Sequence, residues 1–257
     1  MSTPTIDQIH RHYSARRYRP DPVSRDMIET VAAAGQRAAT SSNFQAYSVV
    51  VVTDASRRAR LAALCGDQIQ IHQAPVFMAW CADRSRLDRV CARRGYVQVT
   101  GYVETFLVAA VDAALAMQNA TLAAESLGLG TCYIGAIRNH PAEVIELLAL
   151  PPLVFPISGM TLGWPAAEPF IRPRLPLDAV LHWERYTTEG EEAALDAYDQ
   201  AMIATGIYDG RQVKAAGQEA PEAPEAYGWQ EHSARRVSRP VRTDVGDVLH
   251  AQGFALE

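Results

Sequence analysis

The chain has 257 residues, 48% hydrophobic and 21% charged, enough to bury a core without disulfides or structural metals. Its net charge of -5 argues against a nucleic-acid partner. Its four cysteines (Cys65, Cys81, Cys91 and Cys132) form no C-x-x-C pair and stand at no metal-ligand spacing to histidine, so neither a zinc nor a disulfide scaffold is expected. The opening MSTPTIDQIH lacks the basic and apolar regions of a secretory signal, which makes the cytoplasm the expected location.

In chain order, residues 5–12 read as a helix, with Ile6, Ile9 and Tyr13 near helical spacing. Ser24 is a plausible N-cap for a second helix carrying Met27, Ile28 and Val31. TSSNFQ at 40–45 is a polar turn. The β-branched run SVVVVTD at 48–54 is a strand closing on an N-cap aspartate, with a helix over 56–64 behind it. A polar loop begins at Gly66, and APVFMAWCA at 74–82 is a second strand. Residues 83–100 are charged and are expected to be an irregular, mobile excursion. The most apolar stretch, 102–127, carries Glu104, Asp112, Gln118, Asn119 and Glu125, too many polar groups to face lipid. It reads as a long buried helix at the centre of a soluble protein, capped by the glycines of LGLG. TCYIGAI is a third strand, a short helix opens at Pro141 and ends near Leu150, and LVFPISGMTLGWP is a fourth strand interrupted by Pro156 and Gly159. Short helices follow, including 191–204. A Pro/Glu/Ala-rich linker at 217–228 precedes a final amphipathic segment over 229–252. This order of elements implies α+β or mixed α/β organisation around a small sheet.

SLGLGTCYIG is not a dinucleotide fingerprint: its spacing fails at Tyr133, and it runs helix–glycine–strand rather than strand–glycine–helix. No Walker A lysine motif or G-x-S-x-G elbow is present, and His10 and His12 cannot share a helix face, so no metal site is expected. Two small clusters stand out. His12, Ser14 and Arg16 alternate with Tyr13, Ala15 and Arg17, which in an extended segment aims an imidazole, a hydroxyl and a guanidinium one way, as a phosphate requires. Arg172 and Arg174 flank Pro173 and would share a side of an extended chain. Each is also compatible with an ordinary solvated basic loop.

With their surroundings these residues form a set. HYSARRYRPDPVS at 12–24, TSSNFQ at 40–45, GDQ at 66–68, AAESLGLGTCYIGAIRN at 123–139 and LGWPAAEPFIRPRLP at 162–176 resemble the nitroreductase superfamily, and within it the NADPH-dependent, oxygen-insensitive nitroreductase and flavin reductase group. The resemblance implies an α+β fold with an antiparallel-rich mixed sheet flanked by helices, and a homodimer formed through the long central helix. It implies a core over 1–198, with the excursion at 83–100, and a C-terminal arm over 199–257 that holds the linker and a terminal helix.

It also implies bound FMN at the dimer interface. At matching positions His12, Ser14, Arg16 and Arg174 would hold the phosphate. Thr40, Ser41 and Ser42 would lie near the ribityl chain and ring, and Gln68 at the pyrimidine end. Tyr133, Ile134, Gly135 and Ala136 would run past the ring, with a backbone N–H toward N5. Arg172, where the family usually has lysine, would place its charge beside the N1–C2=O edge and favour the negative charge that reduction puts there. NADPH would be the donor and small electrophiles such as nitroaromatics or quinones the acceptors, alternating in one site with ping-pong kinetics. No side chain is needed as acid or base, because the chemistry is the cofactor's. Where the family often has an arginine for the NADPH 2′-phosphate, this chain reads IYDGRQVK, leaving Arg211 and Lys214 as candidates beside Asp209. Two other functions fit the same residues: a flavin reductase supplying reduced FMN to a monooxygenase, and a non-catalytic flavin-binding protein. No membrane partner is expected.

Overall fold

The structure, a computed structural model, describes residues 1–214 and 227–256. It comprises two units, Met1–Phe170 with Arg242–Glu257, and Ile171–Val241.

In the first unit α1 (Pro4–His10) is capped by Thr3 and α2 (Arg25–Gly35) by Ser24, whose hydroxyl accepts the Met27 N–H at 3.2 Å. Strand β1 (Tyr47–Val52) leads into α3 (Ala55–Leu64), where Asp54 accepts the Arg57 N–H at 2.8 Å. The loop expected after Gly66 contains a helical turn, α4 (Ile69–Gln73), ahead of β2 (Val76–Asp83). The charged stretch 83–100 is not irregular throughout. It forms α5 (Ser85–Arg94), because the Asp83 carboxylate accepts the N–H groups of Ser85 and Arg86 and Gly95 stops the helix at φ 78°.

Next come α6 (Val103–Ser126), about 36 Å long, and β3 (Gly130–Ile134). Strand β3 ends earlier than the sequence suggests, since Gly135–Arg138 turns into a 3₁₀ helix before α7 (Pro141–Leu147).

Strand β4 (Val154–Gly163) is unbroken and central in a sheet of order β1-β2-β4-β3, all three pairings antiparallel. The two expected interruptions are accommodated rather than avoided. Opposite Trp80 and Cys81 the register shifts, leaving Ile157 unmatched and letting Pro156, which has no N–H to give, sit within the strand. Gly159 lies under Phe77, whose ring would stand 2.3 Å from any Cβ placed there.

The sheet is buried on both faces, and β2 shows why its sequence is continuously apolar. Met78 and Trp80 pack with Val31 of α2 and with Ala113, Ala116 and Ala120 of α6. Phe77, Ala79 and Cys81 pack on the opposite side with Leu61 of α3 and Val144 of α7. Burial pushes the Cys65 and Cys81 thiols up to about 12, so both act as small apolar groups.

In the second unit α8 (Glu191–Ala204) and α9 (Trp229–Val237) are joined by Asp199, which accepts the Gln230 N–H at 2.7 Å, and by the edge-on rings of Tyr198 and Trp229. The sequence expects one helical segment over 229–252. Instead α9 ends at Val237, and α10 (Val245–Ala251) returns to the first unit, where Leu249 and Phe254 close over Phe155. The units divide at 170/171 and again at 241/242. The linker expected at 217–228 lies outside the described residues up to 226.

Candidate functional site

After α1 the chain runs extended against β3. Ser14 forms a parallel bridge with Thr131, the Ala15 N–H donates to the Thr131 carbonyl at 2.8 Å, and further on the Arg19 N–H donates to the Trp164 carbonyl at 2.9 Å. Tyr13, Ala15 and Tyr18 turn inward onto Ala74. The Tyr18 hydroxyl lies 2.8 Å from Thr161 Oγ1, and burial pushes its phenol far up. The approach to β3 is close because Gly130 is there: a Cβ on it would stand 2.6 Å from that of Ala15.

With its alternate residues packed inward, this segment carries His12, Ser14 and Arg16 together. Arg16 is exposed, and the one hydrogen bond of its guanidinium among the described residues goes to the Ser14 carbonyl, with no carboxylate partner. Thr131, which bridges to Ser14, has a buried hydroxyl without a hydrogen-bond partner among the described residues. His12 Nδ1 lies 2.5 Å from Glu125 Oε1.

The 40–45 turn is held from α6. Asp112, 1% exposed, accepts the Ser41 and Ala46 N–H groups, each at 3.0 Å, one on each carboxylate oxygen. Between those anchors Ser42, Asn43 and Gln45 adopt φ of 48°, 57° and 50°, a left-handed cluster that costs energy in non-glycine residues. Thr40 is half-buried, and Ser41 and Ser42 are exposed. Beside this turn a cavity of about 630 Å³ is lined by Gln36, Phe44, Gln45, Tyr47, Trp80 and Arg86, and none of the residues nominated from the sequence borders it.

Gln68 caps the start of α4, its amide donating to the Cys65 carbonyl at 2.9 Å and accepting from Gln70 at 2.6 Å. Tyr133 is 40% exposed at the end of β3. Its hydroxyl reaches Gln118 and Thr121 of α6 at 2.9 and 3.0 Å, and its phenol is pushed up by burial. Ile134 buries its side chain in the core, leaving only its backbone for a ligand, while Gly135 and Ala136 open the following 3₁₀ turn.

Arg172, Arg174, Arg211 and Lys214 belong to the second unit. Arg174 donates to the carbonyls of Arg172 and Pro173 at 3.3 Å, and the charge of Arg172 acts on Tyr208.

Two residues of these arrangements were not nominated from the sequence, Glu125 and Asp112. The signal was present: each is a carboxylate in an otherwise apolar helix, and a buried carboxylate must find donors.

Two family models match the chain: the nitroreductase family over residues 9–164, and the nitroreductase family C-terminal domain over residues 172–257. An FMN reductase [NAD(P)H] of Bacillus subtilis is 37% identical, with 98% of each chain covered. A Cr(VI) reductase of a Pseudomonas species is 42% identical over 96% of this chain and 97% of its own length. The solved structure of a hypothetical oxidoreductase of Bacillus subtilis superposes with a TM-score of 0.90 at 36% identity, each chain covered completely. Both the sheet-centred first unit and the helical second unit thus have counterparts in known members, and the chain belongs to the nitroreductase family.

Proposed function

We propose that the chain is an FMN-dependent NAD(P)H oxidoreductase that reduces nitroaromatics, quinones and related electrophiles. The observation that carries this reading is the extended segment on β3. It offers an imidazole, a hydroxyl and a guanidinium, the guanidinium without a carboxylate partner among the described residues, a donor set that fits a phosphate. FMN when bound supplies the two-electron exchange between a nicotinamide and an acceptor.

The chain's part is to hold and bias that cofactor. In this reading His12, Ser14 and Arg16 bind its phosphate. Thr40, Ser41 and Ser42 line the ribityl chain, Gln68 meets the pyrimidine edge, and the Tyr133–Ala136 backbone follows the ring. For Arg174 and Arg172 the resemblance alone implies roles toward the cofactor, phosphate binding for the first and a charge that favours the reduced state for the second. Arg211 and Lys214 are the candidates for the 2′-phosphate of NADPH.

The protein acts as a homodimer, in the cytoplasm. Val103, Leu107, Val111 and Leu115 form one exposed apolar row along α6, a face left uncovered among the described residues. The name of the Bacillus relative favours a second reading, reduction of free FMN for a partner enzyme.

Adding NADPH without oxygen to the purified protein separates these outcomes. A flavin spectrum that bleaches supports the oxidoreductase, and comparing kcat/KM for a nitroarene and for free FMN selects between the two readings. A flavin spectrum that neither NADPH nor NADH bleaches refutes both, as does failure of the protein to take up added FMN.

A further inference from the structure

Glu125 occupies an unfavourable position for a carboxylate. It lies in the last turn of α6, where the helix dipole opposes negative charge, and its side chain is only 7% exposed. Oxygen Oε2 is buried without a hydrogen-bond partner among the described residues, so His12 Nδ1 is its one donor, at 2.5 Å. No other hydrogen-bond donor reaches this carboxylate among the described residues. Tyr13 and Tyr133 are close enough to feel it, both phenols being pushed up by burial first and by Glu125 in addition.

The imidazole has the opposite layout. It is 29% exposed on its side chain, Nδ1 is committed to Glu125, and Nε2 makes no hydrogen bond among the described residues. A ring that donates from Nδ1 can also donate from Nε2 only if it carries both protons. In the neutral ring the same geometry would turn a lone pair toward an incoming phosphate. A full negative charge on the other side of the ring favours the doubly protonated form; a neutral acceptor in the same place would not.

We infer that Glu125 is a positioning residue for the phosphate end of the cofactor, orienting the His12 ring and holding it as a two-proton donor so that Nε2–H is presented to the phosphate. This rests on the proposal that His12 binds that phosphate, and it adds a sign that is not obvious in advance. A carboxylate this near a phosphate would by simple repulsion weaken binding, whereas acting through His12 it strengthens it.

The test is the dissociation constant of the full-length apoprotein for FMN and for riboflavin, which lacks the phosphate, read by flavin fluorescence. Glu125→Gln keeps the size and an acceptor oxygen but removes the charge. It should weaken FMN binding by about tenfold, the scale of one charge-assisted hydrogen bond. Riboflavin binding should be unchanged, which also reports that the variant is folded. His12→Ala should weaken FMN similarly, and Glu125→Gln in the His12→Ala background should add nothing. In ¹⁵N-histidine spectra the ring resonances absent from His12→Ala should report two protonated nitrogens in wild type and one in Glu125→Gln. Tighter or unchanged FMN binding in Glu125→Gln, or a parallel loss of riboflavin, overturns the inference while a loss in His12→Ala leaves the phosphate assignment standing. If His12→Ala itself leaves the FMN-to-riboflavin ratio unchanged, the phosphate role of His12 falls, and this inference with it.

Discussion

The two faces of α6 are both rich in apolar residues and have opposite fates. One carries Ala109, Ala113, Ala116, Ala120 and Ala124 and is buried against the sheet and α2. The other carries Val103, Leu107, Val111 and Leu115, each 44–51% exposed. The larger side chains are thus on the face with less cover. Small residues are needed where backbones must approach: at the α2 crossing a Cβ on Gly35 would stand 2.9 Å from the Ala116 carbonyl oxygen. Large apolar side chains along an uncovered row supply area for a partner surface instead. The difference is between packing fixed within the chain and packing left for association.

Substitutions on the two faces should therefore show up in different measurements. The largest effect is expected from Leu107→Glu combined with Val111→Glu. Two charges placed in a buried contact should weaken association by more than about a thousandfold, giving a monomer by light scattering with unchanged urea unfolding of the monomer itself. A persistent dimer would show that this row is not the interface. Next, Asp112→Ala removes both acceptors of the 40–45 turn and should cost about 3 kcal/mol in urea unfolding, with Asp112→Asn costing roughly half. Faster hydrogen exchange should appear at Ser41 and Ala46, and unchanged exchange there would mean that another group holds the turn. Ala116→Leu forces volume into the α2 contact and should cost about 1–3 kcal/mol without changing the association constant. Smallest of all, Val103→Ala should stay within about 0.5 kcal/mol in the monomer, since an exposed side chain loses little there. A larger loss would mean that this end of α6 is covered within the chain.

How much of this was legible in the sequence depended on how local its cause is. The caps at Ser24 and Asp54, the glycine stop after α6 and the apolar β2 all follow from adjacent residues, and each is where the pattern puts it. Two of the misses, in β4, share a non-local cause. Pro156 and Gly159 look like breaks because the neighbours that accommodate them, Trp80 and Cys81 across the register shift and the Phe77 ring, lie about 75–80 positions away in the chain. Residues 85–94 look irregular because charge masks a helix that Asp83 starts. At the candidate site the alternation of residues 12–16 was readable, since period-two patterning is a local property. Which groups the two carboxylates of α6 would hold was not: Glu125 is 113 positions from His12, and Asp112 is 71 from Ser41.

The return of α10 to the first unit bears on how the chain matures on the ribosome. Phe155 is sealed by Leu249 and Phe254, and the Leu153 N–H is answered by the Gln252 carbonyl at 2.7 Å. These contacts span roughly a hundred residues, all of which must be translated first. At about 5–20 residues per second, the nascent sheet exposes that apolar corner for roughly 5–20 s before its cover emerges. During that interval the growing chain has an adhesive site that the finished protein lacks, and a translational pause between residues 170 and 249 would prolong it.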